Sequence, residues 1–355
     1  MIKEIFVLRS IGCLSIVFLH SIHIALQTIP IIAMGEVFAI FFDSLQMLLY
    51  YGTPMFIFIS EFLISYSYRN KPLPTYFLSK RTKFILIPFF VMGVFYSLPF
   101  LLSGASVWAE TVAMNLLLGD YHGYFILIIF QFYLFHYYFH SYLKKWRPFP
   151  VITIAFIINA IYLFIFNFTT PPIENSATMF LWERFYWVPM FGWVFYFAVG
   201  YYAGLYYESF MTFLLKYRYW IIVGPLVTSF ILLFVYHSGI LSIHSSKRID
   251  ILIHTIACSF FLFYLTSQMK GLPTFFAFIS RYSFGIYLLH YFYIFAIDFI
   301  YSLYPIPLGV AYIMILFVFS TLLSIGTVYV LNKIPYGHIV IGKIGAPYKP
   351  PASSV

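Results

Sequence analysis

The chain has 355 residues, of which 63% are hydrophobic, 24% aromatic and only 9% charged, with a formal net charge of +9. A soluble domain carries about 25% charged residues, so a soluble enzyme, a disordered chain and a secreted disulfide scaffold are all excluded. What remains is an all-α polytopic membrane protein with no stretch polar enough for a separate aqueous domain.

A membrane span needs about 20 mainly apolar residues. Ten stretches meet this, at 5–31, 41–67, 84–103, 123–143, 149–168, 188–208, 219–237, 250–267, 284–303 and 309–332. Helices are required, because strands in lipid leave backbone groups unpaired unless a barrel closes, and these runs are too long and too uniformly apolar for barrel strands. No small-residue cleavage site follows the first apolar run, which reads as a retained helix. Residues 1–332 are therefore the membrane domain, and 333–355 are a short, basic, proline-rich tail expected to be disordered.

In the first helix, Arg9 and His20 lie eleven positions apart. At about 100° and 1.5 Å per residue, this puts them on one face, separated by ~16 Å along the axis. Arg9 then sits near one mouth and His20 near mid-membrane, with His23 on a neighbouring part of the face. Ionisable groups at such depth are costly, roughly 2.5–3.5 kcal/mol for a charge at mid-span, and are functional candidates by default. Imidazole is the side chain best suited to proton transfer near neutral pH. An ordinary topological role for Arg9 and a packed, hydrogen-bonded His20 are the alternative.

Glu61 lies in the second span at a depth similar to Arg9. It can form a structural ion pair or orient Arg9 or a histidine within a cavity. The loop from Arg69 to Lys83 alternates apolar and basic residues and suits the membrane interface. His136 and His140 are four apart, a metal-compatible spacing, but no glutamate accompanies them as in the zinc-protease motif. No metal site is expected. His290 and Asp298 mark the ninth span, while His237, His244 and His254 border an outer loop. Cys13 and Cys258 read as small buried hydrophobes.

Placing the N-terminus in the cytosol assigns 17 of the 20 Lys and Arg residues to cytosolic segments, leaving Arg184, Lys247 and Arg248 outside. This asymmetry supports ten crossings with both termini cytosolic. Acidic residues lean outward: Glu36, Glu110, Asp120, Glu174, Glu183 and Asp250. The net positive charge thus reflects orientation and contact with membrane lipids, not nucleic acid.

Five stretches together resemble acyltransferase family 3. They are Leu8-Arg9-Ser10-Ile11 with Phe18-Leu19-His20; Gly52 to Leu63; Phe77 to Lys83 with Pro88; Tyr121 to Phe125 with Gln131 and Tyr133; and Ser283 to His290. The pattern is most similar to the stand-alone intercellular-adhesin O-acyltransferase-like members. It departs from the family at Glu61, where glycine is usual, and at Tyr124, where tryptophan is common. The resemblance implies that a cytosolic acyl-CoA, most often acetyl-CoA, donates an acyl group to a hydroxyl of a cell-envelope polysaccharide or other extracytoplasmic glycan. Arg9, Lys80, Arg81 and Lys83 would hold the donor phosphates. His20 would act as general base or transient acyl carrier, with Glu61 and His122 as further catalytic candidates and His290 after them. A transporter or exporter of a polysaccharide or small solute remains the alternative, although no paired broken helices mark internal repeats.

Overall fold

The computed structural model describes residues 2–173 and 175–348. Glu174 and the last residues, including Lys349, Pro350 and Pro351, lie outside the described residues. Among the described residues every regular element is a helix. The principal ones are α1 (Lys3–Thr28), α2 (Glu36–Leu49), α3 (Gly52–Tyr68), α4 (Ile87–Ser97), α5 (Ala105–Leu117), α6 (Phe125–Leu143), α7 (Pro148–Phe168), α8 (Ser176–Trp187), α9 (Val194–Leu205), α10 (Tyr207–Lys216), α11 (Arg218–His237), α12 (Ile251–Gln268), α13 (Thr274–Leu303) and α14 (Ala311–Leu331).

Nine helical stretches among the described residues are long and apolar enough to cross a membrane. They match nine of the ten expected spans. The sixth expected span, 188–208, becomes a short helix instead. Pro189 is extended, Met190–Gly192 form a tight 3-10 turn, and only α9 continues as α-helix. Twelve residues rise about 18 Å, so α9 alone covers only part of a hydrocarbon layer of ~30 Å, yet it joins the end of the bundle where Arg184 pairs with Asp120 to the end where Glu208 pairs with Arg69. Eleven of those twelve are buried, so α9 is wrapped by protein on all sides. By contrast, α7 and α11 are among the least buried of the spanning helices and present most of their surface outward.

Close backbone contact holds α9 in place. A Cβ added at Gly200 would lie 2.6 Å from the Phe58 carbonyl oxygen of α3, and one at Gly204 would strike the Phe62 carbonyl. The pair is spaced i, i+4, the small-residue pattern that lets membrane helices approach. Around it, Phe58, Phe62, Tyr196, Tyr201 and Phe263 form one aromatic core.

Two local irregularities position site residues. Pro88 has no N–H to return to Phe84, and the preceding turn loosens: Ile87 N–H reaches back five residues to Thr82, a π-helical turn. Arg81 immediately precedes it. Between α5 and α6 the chain runs unwound through Gly119, at φ +65°, to a 3-10 turn at His122–Tyr124. His122 is thereby held at the start of a short 3-10 turn, on the walls of the second and third cavities described below.

At the opposite end of α1, Asp298 of α13 accepts from Thr28 (2.8 Å) and Tyr312 (2.6 Å), tying three helices. The two described chain ends lie together. The Lys3 ammonium donates to the carbonyls of Ser267 (3.2 Å) and Met269, and the Phe6 ring meets Tyr348 edge-on at 5.4 Å. The expected disorder of the tail therefore does not hold for residues 333–348.

Candidate active site

Charged and titratable side chains from α1, α6, α13, the 77–86 segment and the tail converge on cavities along one axis of the bundle. The first cavity, about 330 Å³, opens at the end rich in Lys and Arg. Its volume is within the usual small-ligand range of ~300–1,000 Å³. Arg9, Arg81, Arg281 and Lys343 line it. Among the described residues none of these four forms an ion pair with a carboxylate. The Arg81 guanidinium is held over the rings of Phe77 (5.2 Å) and Tyr133 (5.1 Å), and its Nε is buried without a hydrogen-bond partner. Tyr133 is fixed in turn by Ser60, which donates to its hydroxyl at 3.1 Å. Concentrated cations without counter-charges, one with a free buried donor, form a site for an anion such as phosphate.

Lys80 and Lys83, expected beside Arg81, do not line this cavity; both are exposed. The cause is helical geometry. Successive side chains turn by about 100°, so when Arg81 faces inward Lys80 and Lys83 face away. Arg281 and Lys343 line it in their place, although in the sequence both read only as part of the charge asymmetry between the two sides.

The second cavity, about 240 Å³, is lined by His20, His23, Gln46, His122, Lys247 and Tyr291 among others. Phe125 and Tyr287 line the first cavity and the second alike, so these two residues form the wall between them. Arg9 and His20 therefore face different cavities, and the single continuous shaft implied by their shared helix face is divided. Tyr287 is pinned by its hydroxyl, which donates to the His122 carbonyl at 2.7 Å.

Three imidazoles meet beside the second cavity: His20 and His122 line it, and His290 is buried behind them. The His290 ring lies 5.4 Å from His20 and 5.4 Å from His122. Tyr291 sits between, 4.8 Å from His20 and stacked on His122 at 5.1 Å. His290 Nδ1 lies 3.0 Å from the Ile286 carbonyl. A carbonyl only accepts, so Nδ1 carries the proton and Nε2 is left with its lone pair. His290 Nε2 and His122 Nε2 are both buried without partners. His20, on the cavity wall and partly exposed, makes no hydrogen bond among the described residues. These are groups free to take or hand on a proton. The central position of His290, ranked last from the sequence, and the presence of Tyr291, not singled out there, depend on how α13 packs against α1.

A third cavity, about 530 Å³, reaches the same cluster from another side through His122 and Tyr291. Its walls are mixed: Tyr96, Phe100 and Phe180 with Glu110, Asn115, Asp120 and Arg184.

Glu61 lines none of these cavities. It is bonded to His136 Nδ1, both side chains being fully enclosed. His140 stacks on His136 at 4.8 Å and pairs with the Tyr201 hydroxyl at 3.1 Å. The expected place of Glu61 beside Arg9 or in the reaction centre is not observed; the carboxylate links α3 to α6 instead. No cluster of three or more potential metal ligands occurs among the described residues.

A many-spanning helix bundle that sets a cation-lined cavity against a histidine cluster has the parts of a membrane-embedded group transferase. The family model described as an acyltransferase domain matches residues 2–329. The chain belongs to acyltransferase family 3 and is a multi-pass membrane acyltransferase. It is 40% identical over 354 residues to the Bacillus subtilis protein named "Putative membrane-bound acyltransferase YfiQ", covering 98% of this chain and 96% of the relative. It is 30% identical over 251 residues to a "Probable poly-beta-1,6-N-acetyl-D-glucosamine export protein" of Staphylococcus aureus, with 68% of each chain covered. The Staphylococcus epidermidis protein of the same name is 30% identical over 274 residues, covering 70% of this chain and 71% of that one. No solved structure matches.

Proposed function

We propose that the protein moves an acetyl group from cytosolic acetyl-CoA to a hydroxyl of a glycan on the other side of the membrane. One observation carries this reading: the counter-charge-free cation cavity and the histidine cavity share the wall formed by Phe125 and Tyr287. Arg9, Arg81 and the cations beside them take the donor's phosphates. The thioester arm passes the wall and delivers its carbonyl to His20. His20 takes the proton from the acceptor hydroxyl as its oxygen attacks the thioester carbonyl; the C–S bond breaks and the imidazolium returns the proton to the departing thiolate. His122 lines the same cavity, and His290, buried against the rings of His20 and His122, relays charge between them. Glu61 acts at a distance by holding α6 in register through His136.

The acceptor class is supported by the printed name of the staphylococcal relatives, which concerns a poly-N-acetylglucosamine. That name also favours a second reading, export of the polymer. Proteoliposomes given radiolabelled acetyl-CoA and the envelope glycan separate the two. Label on the glycan, lost in His20→Ala and retained in the exposed-helix control Tyr138→Ala, supports transfer. Glycan that crosses the vesicle unlabelled supports export, and unchanged labelling in His20→Ala removes the assigned base.

A further inference from the structure

The stretch after α14 folds back beneath the bundle. The Asn332 side chain donates to the Gly342 carbonyl (3.2 Å) and accepts from Ile344 N–H (3.4 Å). Gly345 and Arg281 exchange two bonds: Gly345 N–H to the Arg281 carbonyl at 2.8 Å, and Arg281 Nε to the Gly345 carbonyl at 3.1 Å. Ile341 is fully buried in the same core as Ile286 and Val328. Gly342 has φ +80°, and a Cβ there would collide with the Phe284 ring, so only glycine allows the approach. These contacts deliver Lys343, whose ammonium lies 4.8 Å over the Phe84 ring, to the wall of the cation cavity.

We infer that residues 341–348 are a wall of the donor site and that Lys343 binds a phosphate of the acyl carrier. The inference rests on the donor reading given above and extends it to a segment outside the spanning helices. Arg281 is part of the same device: it lines the cavity and bonds the strap. An ammonium within reach of a phosphate oxygen makes a charge-assisted hydrogen bond worth ~1.5–3 kcal/mol, or roughly tenfold or more in affinity. An anionic lipid headgroup carries the same phosphate chemistry, so the test must separate the two sources.

Equilibrium binding of coenzyme A to the full chain in nanodiscs, with and without phosphatidylglycerol, serves for wild type, Lys343→Ala, Lys343→Arg and Arg9→Ala. Expected are a roughly tenfold weaker Kd in Lys343→Ala in both lipids, recovery in Lys343→Arg, and a weaker salt dependence. As a second readout, Lys343→Cys in inside-out vesicles should react with an impermeant maleimide above the wild-type background, and coenzyme A should protect it. Weakened binding in Arg9→Ala but not in Lys343→Ala, or loss only when phosphatidylglycerol is present, overturns the strap assignment and leaves the donor reading standing. Absence of coenzyme A binding by the wild type overturns both.

Discussion

His20, His122 and His290 reach one another from the middle of α1, from an unwound segment and from the middle of α13. Their rings pack at centroid separations of 5.4 Å with no hydrogen bond between them, so a reacting group meets them from the adjoining cavity. General base catalysis contributes typically 10²–10⁴-fold. His20→Ala should therefore lower the transfer rate by at least ~100-fold while coenzyme A still binds, because His20 lies beyond the Phe125–Tyr287 wall; titration calorimetry beside the rate assay checks both. A different expectation attaches to the Glu61–His136 bond. Removing one partner of a buried hydrogen bond leaves the other unsatisfied, at ~1–3 kcal/mol or more, whereas replacing both with apolar residues is often nearly neutral. Glu61→Leu alone should sharply lower the thermal midpoint in detergent, and Glu61→Leu with His136→Leu should recover most of it. If the double variant is as unstable as the single, the pair has a role other than joining α3 to α6. At this scale the cavity-lining positions of Arg9 and His20 are legible in the sequence, since both sit on one helix at a helical spacing. Arg281, Lys343 and Tyr291 were not legible, because their value comes from contacts between segments far apart in the chain.

Among the elements, α9 shows how far hydropathy reads a membrane fold. Its apolar run predicts a span; what the run cannot show is that the surrounding apolar medium is protein. The signal that distinguishes it is Gly200 with Gly204, which place the α3 backbone against it. Gly200→Val and Gly204→Val should each misfold or strongly destabilise the protein, seen as loss of the monodisperse peak in fluorescence-detected gel filtration. The same change at Gly224 of α11, where a Cβ meets only Ala257 at an ordinary 3.6 Å, should be mild. α10 is amphipathic, burying Phe210 and Leu214, and is tethered to the end of α3 by Arg69 and Glu208 at 2.8 Å. The Glu208 carboxyl lies below its ordinary value of 4.5, first because its own backbone N–H bonds it and then because Arg69 does. A lowered folded value means the tether is complete above the ordinary value and is lost as pH falls through the lowered one. Backbone hydrogen exchange in α10, corrected for intrinsic rate, should be flat from neutral to mildly acid pH and rise only at strong acidity. Glu208→Gln should remove that step.

For the molecule as a whole, charge asymmetry and packing agree on which end is which. Lys3, Arg9, Arg81, Arg281 and Lys343 gather where the two described chain ends meet, and the carboxylates of Asp120 and Glu183 pair with Arg184 away from them. Four like charges around one cavity repel one another, and the polyanionic donor proposed above would relieve this. A ligand at 100 times its Kd stabilises the folded form by about 2.7 kcal/mol. Saturating coenzyme A should therefore raise the thermal midpoint of the wild type measurably, and the rise should shrink in Arg9→Ala and at high salt, where screening does part of the same work.

Phe125 and Tyr287 carry one more implication. If donor and acceptor meet from opposite faces of the bilayer, as proposed above, the catalyst is also a potential leak, since any water column joining its chambers would dissipate the ion gradients on which the cell depends. Two rings, one anchored through its phenol, are the insulation. On the proposed donor reading only a slim thioester arm threads past them, so they would also act as a gauge for the length of the group handed over. Trimming Phe125 to alanine would be expected to relax both duties together, admitting bulkier acyl chains and letting protons through, a coupling that dye-loaded vesicles and a panel of donors would expose.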